Sequence, residues 1–120
     1  MGGMTVLHLV ESPLARRLRA EDQDEDAGRL SPDDRLTCHV HGRWIHQCVS
    51  SPVHVHPVTR HRWCRRCERP LTVAIDELAG TVRMTCPGCG AGGSGATTRL
   101  LAACRASLGV VTARRPAAVA

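Results

Sequence analysis

The chain has no phenylalanine, no tyrosine and no lysine, and its large aromatic side chains are limited to Trp44 and Trp63. The first two absences exclude an ordinary core. A chain of 120 residues without them has little apolar area to set against the entropy lost on ordering. No apolar run approaches the ~20 residues that a membrane-spanning helix needs, so no span is expected. The short apolar start at residues 4–10 lacks a basic leader and meets Glu11, which does not describe a secretory signal. There is no G-x-S-x-G, no phosphate-binding loop and no helical H-E-x-x-H, and no nucleophile stands near a base. Neither an enzyme nor a small-molecule site is expected. The absence of lysine makes all 16 basic residues arginine. This fits a GC-rich bacterial genome, so arginine content alone does not point to phosphate.

The charge is unevenly divided. Residues 1–34 carry four arginines against eight carboxylates, net −4, and residues 35–120 carry twelve against three, net +9. The acidic run at residues 21–26 reads as a solvated linker or a shield for the basic half. The basic half suits an anionic partner.

Against these shortages stand seven cysteines and seven histidines. Cys64-Arg-Arg-Cys67 is followed, after 18 residues, by Cys86-Pro-Gly-Cys89. Each two-residue gap lets both sulfurs of a tight turn face one volume, and two such turns supply four thiolates in the tetrahedron that zinc prefers. Between the pairs, Leu71, Val73 and Ile75 alternate with Thr72, Ala74 and Asp76. Gly80 marks a turn, and residues 81–85 return to the second pair. The pattern predicts a hairpin with a cysteine knuckle at each base. The odd cysteine count and the metal-type spacing weigh against a secreted disulfide scaffold, and imply a reducing, cytoplasmic setting.

Residues 60–92 resemble the zinc-ribbon family. The second knuckle, Cys86-Pro-Gly-Cys89-Gly90, fits the family form C-P-x-C-G. In the first, Glu68 stands where glycine is common, so that turn is expected to close differently. The resemblance implies a structural zinc ion, and the family often serves transcription, replication or ribosome machinery. Rubredoxins also carry two such pairs, but the glycine after the first pair and the aromatics expected around the iron are missing here.

Six of the seven histidines lie in residues 39–61, close to Cys38 and Cys48. Cys38-x2-His41-Gly42 reads as the entry to a further knuckle, and His54-x-His56 places two rings on one strand face. Cys38, His41, Cys48, His54 and His56 are therefore candidate ligands of a second zinc ion, with His46 an alternative. Small buried thiols beside exposed histidines form the plainer reading. Arg60, Arg62, Arg65, Arg66 and Arg69 cluster at the first ribbon knuckle and are the candidate nucleic-acid contacts, with Trp63 or Trp44 as a stacking surface.

The remaining elements are short. Ser12-Pro13 starts a helix expected over residues 13–21. Residues 58–63 are expected to add a third strand to the hairpin. A C-terminal helix capped by Ser94 or Thr97 runs to about Leu108, with Gly109 as its stop. Leu100, Leu101, Cys104 and Leu108 form its apolar stripe.

The expectation is a small, metal-stabilised α+β protein. Residues 1–34 form a flexible segment with a short helix and acidic linker. Residues 35–110 form a three-stranded antiparallel zinc ribbon with a C-terminal helix, and residues 111–120 a loose tail. One zinc is held by Cys64, Cys67, Cys86 and Cys89. The expected partner is nucleic acid or its machinery. The competing expectation is a protein–protein adaptor that docks through the helical stripe and the acidic segment.

Overall fold

A computed structural model of the chain describes residues 11–51, 62–92 and 95–113. They form an α+β arrangement of three helices and three short antiparallel ladders, with a 3-10 turn at Pro32–Asp34. No described helix is long and apolar enough to cross a membrane.

Helix α1, Pro13–Asp26, begins as the sequence predicts, with Ser12 Oγ accepting from Ala15 N at 3.1 Å and Pro13 in the first turn. It does not stop at residue 21. It runs through the acidic residues to Gly28, which takes a φ of +76°. There the amides of Gly28 and Arg29 donate to the carbonyls of Glu25 and Asp24 at 3.1 and 2.8 Å, which closes a Schellman motif. The reason the run stays helical and docked is Arg35, which is 4 % exposed. Its guanidinium meets Asp22 at 2.7 Å, Glu25 at 3.0 Å and Glu21 at 3.7 Å. Glu21, 5 % exposed, also accepts from Leu36 N, Thr37 N and Thr37 Oγ1 at 2.8, 3.0 and 2.6 Å. The expected flexible acidic linker is therefore a packed helix whose Glu21, Asp22 and Glu25 carboxylates are tied to the next segment.

The ladders are separate. Strands β1 (Thr37–Cys38) and β2 (Arg43–Trp44) pair with each other, as do β3 (Trp63–Cys64) and β4 (Arg69–Pro70). Strands β5 (Thr72–Asp76) and β6 (Thr81–Thr85) form the long hairpin. Residues 58–61 of the expected third ribbon strand lie outside the described residues. Trp63–Cys64 pairs with Arg69–Pro70 within its own knuckle, and β5 and β6 form a ladder of two strands.

The β5–β6 hairpin follows the alternation in the sequence. Leu71, Val82 and Met84 are buried, Val73 and Ile75 pack beside them, and Thr72, Ala74 and Asp76 face outward. Asp76 Oδ1 accepts from the amides of Leu78 and Ala79, both at 3.0 Å, which shapes the turn.

Helix α2, Ile45–Val49, follows β2 directly, and helix α3 spans Gly95–Ala113. Gly109 lies inside α3 rather than at its end. As predicted, Leu100, Cys104 and Leu108 are buried and Leu101 packs beside them. The stripe joins the two halves of the molecule, since α3 contacts α2, β6 and the 3-10 turn. Arg99 adds a bidentate pair with Asp34, both bonds at 2.8 Å, at the surface. Five of the thirteen residues in the core cluster are cysteines: Cys38, Cys48, Cys64, Cys86 and Cys104. Thiols stand where larger side chains fill other cores.

Replacing Glu21 by alanine leaves the amides of residues 36 and 37 without their acceptor, while Asp22 and Glu25 still pair with Arg35. Leaving buried donors unsatisfied costs about 1–3 kcal/mol. Arg19→Ala, which removes an exposed pair with Glu11, changes stability by less than about 1 kcal/mol. Urea unfolding of both variants is the check, and equal midpoints would show that the acidic helix is not held through Glu21.

Candidate metal centre

Three turns in the chain share one backbone construction. In each, a cysteine at or just beyond the end of a strand is followed three residues later by a second donor and four residues later by a residue with positive φ. The sets are Cys38, His41 and Gly42; Cys64, Cys67 and Glu68; and Cys86, Cys89 and Gly90. The φ values are +62°, +50° and +75°. The amides of Gly42 and Gly90 each donate to the carbonyl of the leading cysteine at 2.8 Å. The left-handed residue turns the chain back under the loop and leaves both donors on its concave side. Glu68 adopts the glycine conformation itself, at the steric cost an L-residue meets there.

The second and third turns bring Cys64, Cys67, Cys86 and Cys89 together, with their sulfurs all within 4.8 Å of one another. Cys64 Sγ and Cys89 Sγ are 3.7 Å apart. A tetrahedral ion with bonds of ~2.3 Å to sulfur sets its ligand atoms ~3.8 Å apart, so the donor set fits a zinc-sized ion. Gly88 N donates to Cys86 Sγ at 3.3 Å, the outer support that a metal-bound sulfur commonly receives. A side chain at Gly88 would place Cβ only 3.1 Å from Cys67 Sγ, so glycine is needed for the close approach of the two knuckles.

The protons of this cluster are unevenly held. The backbone amide of Cys89, aided by that of Gly88, pulls the Cys86 thiol down to about 6, against a smaller opposing effect of burial. Hydrogen bonds to Cys86 and Cys89 push the Cys67 thiol up to about 12. Cys86 is thus poised as a thiolate beside a protonated Cys67. A cation that binds all four must displace the remaining protons, so its affinity falls as pH falls. Four thiolates occupy every position of a tetrahedral ion, which gives such a centre a structural rather than catalytic character.

The first turn adds a second group. Cys38, His41 and Cys48, the last on α2, also have donor atoms within 4.8 Å of one another. His46, the alternative ligand, does not join them. It is 1 % exposed, and its Nδ1 lies 2.6 Å from Ser107 Oγ on α3. Ser107 Oγ donates to Cys104 O at 3.0 Å and accepts from His46 N at 3.3 Å. With that hydroxyl proton used, His46 carries its own proton on Nδ1 and directs it at Ser107. Burial holds the His46 ring below its ordinary pKa. Its role is to join α2 to α3. His54 and His56 lie outside the described residues.

The arginines of the first ribbon knuckle divide. Arg65, Arg66 and Arg69 are exposed, and Arg60 lies outside the described residues. Arg62 turns inward. Its Nε donates to Leu71 O at 2.8 Å and its Nη1 to Val49 O, joining α2 to the base of the hairpin. Trp44 is buried at 7 % exposure, whereas Trp63 is half-buried beside Pro70. Neither the Glu21–Arg35 lock nor the His46–Ser107 bond was foreseen from the sequence, since both join segments through single polar side chains.

A scan of protein-family models, a search of curated proteins and a search of solved structures each return no match to this chain.

The three positive-φ positions separate by substitution. Gly90→Ala costs about 1–2 kcal/mol because alanine resists that region, whereas Glu68→Gly leaves stability equal or higher. Chemical unfolding of the metal-loaded protein measures both, and a clear loss for Glu68→Gly would contradict the strain assigned to that turn.

Proposed function

We propose that the chain is a structural zinc-binding protein whose knuckle surface contacts nucleic acid, as an accessory factor in transcription or related work. The observation that carries the metal reading is the convergence of four cysteine sulfurs from two knuckles at tetrahedral spacing. Zinc is the ion of choice for four thiolates in a closed site, and its ligation supplies cohesion that a core without phenylalanine or tyrosine lacks.

The surface reading rests on Arg65, Arg66 and Arg69. They stand exposed on one knuckle, with the Arg69 guanidinium beside Gly88 of the facing knuckle. Three guanidinium groups on rigid turns can fork onto successive phosphates. Arg43 occupies, after Cys38, the position that Arg69 occupies after Cys64, and it is also exposed. Four thiolates around a zinc ion leave a net −2 at the centre, which tempers the field close to the metal and favours contact through the arginine tips. The adaptor reading draws less support. Its apolar stripe is buried against the rest of the chain, and its acidic segment is bonded to Arg35.

The metal reading predicts that Cys86→Ser loses one equivalent of zinc and the order of residues 62–92. Elemental analysis and amide exchange test this, and a protein that keeps its metal and its protection would sink it. The surface reading predicts salt-sensitive binding to DNA or RNA. Changing Arg65, Arg66 and Arg69 together to alanine should flatten the slope of log K against log salt by about 2–3. Failure of the parent protein to bind either nucleic acid at low salt would favour the adaptor.

A further inference from the structure

The geometry points to a second, independent metal site: Cys38, His41 and Cys48 hold a divalent zinc-class ion through two sulfurs and one imidazole nitrogen, with a fourth ligand supplied from outside the trio.

Thiols that serve only as small apolar side chains face carbon. Here both converge on one atom, with Cys38 Sγ 3.4 Å and Cys48 Sγ 3.2 Å from His41 Nδ1. An ion at the centre of the three would be bound by all of them at once. Bonds of ~2.3 Å to sulfur and ~2.0–2.1 Å to nitrogen place those atoms ~3.5 Å apart around a tetrahedral ion. The observed separations lie close to that value without rearrangement.

The backbone argues the same way. Cys38 to Gly42 repeats the positive φ and the 2.8 Å amide-to-carbonyl closure of Cys86 to Gly90, which belongs to the four-cysteine group. The third donor arrives from a different element, α2, which begins immediately after β2. An ion here would pin the β1–β2 knuckle to α2. Through His46 and Ser107 it would also steady α2 against α3.

The chemistry of the set suits its burial. Cys48 is fully buried, Cys38 is 5 % exposed and His41 half-buried. Two thiolates and a neutral imidazole bring a dication to zero net charge, which a low-dielectric interior tolerates better than an unbalanced centre. Binding forms two metal–sulfur bonds and one metal–nitrogen bond and releases the two thiol protons to solvent. Soft sulfur with imidazole selects zinc over magnesium or calcium.

The test counts metal on the full chain, both as purified without chelator and after refilling of reduced protein with zinc. The expected result is two equivalents for the parent and one each for Cys48→Ser and His41→Ala. Cys86→Ser should also fall to one, but by losing the other ion. Refilling with cobalt(II) distinguishes the two losses, because the parent has six thiolates on cobalt, Cys48→Ser four and Cys86→Ser two. Because His41 is the most exposed of the trio, His41→Ala provides a reading should Cys48→Ser fail to fold. One equivalent in the parent, kept by both His41→Ala and Cys48→Ser, would overturn the second site and leave the four-cysteine reading standing.

Discussion

Convergence of sulfur is the constraint on which the rest of this molecule depends. Four cysteine sulfurs sit within 4.8 Å of one another at the base of the β5–β6 hairpin. Sulfurs crowd in this way at a cost when each keeps its proton, and at a gain when a cation replaces the protons. The hairpin alone is a two-stranded ladder, which is marginal in water. It becomes a platform when both of its ends are tied to knuckles and its apolar face meets α3. The proposed zinc ion therefore acts on the whole of residues 62–92 rather than on its four ligands alone.

The other half of the molecule is held by different means. Arg35 and Glu21 form a buried charged lock between α1 and the strand that leads into the first knuckle. Such a lock adds definition more reliably than net stability, because desolvation opposes much of the attraction. It specifies which face of α1 docks and in which register. The His46–Ser107 bond does similar work between α2 and α3, and Arg62 between α2 and the base of the hairpin. Three polar contacts thus perform joining tasks that aromatic packing performs in other small domains.

Much of the site was legible before the fold. Two-residue gaps between cysteines constrain a turn so tightly that the four-sulfur group follows from spacing, and the period-two alternation of residues 71–76 places the hairpin's buried face. The apolar stripe of α3 was equally visible in its four-residue repeat. The acidic run was misjudged for a physical reason. A block of like charges repels itself in isolation, so local reasoning predicts a linker. The opposing charge lies on Arg35, nine residues beyond the run, where no local pattern announces it. A left-handed glutamate at position 68 is likewise penalised locally and is tolerated only because the knuckle fixes the chain on both sides.

The sequence by itself determined which atoms can bind a metal and how closely each pair must lie. Short covalent loops leave little freedom, and thiol chemistry does not depend on distant neighbours. Only the tertiary structure decided which of the described arginines remain at the surface, that His46 turns to Ser107 rather than to Cys38 and Cys48, and whether the acidic residues are bonded or free. Those outcomes depend on which side chains meet across long separations in the chain. That is decided by the packing of α1, α2 and α3 around the knuckles, where one buried carboxylate or one inward-turned guanidinium redirects a whole segment.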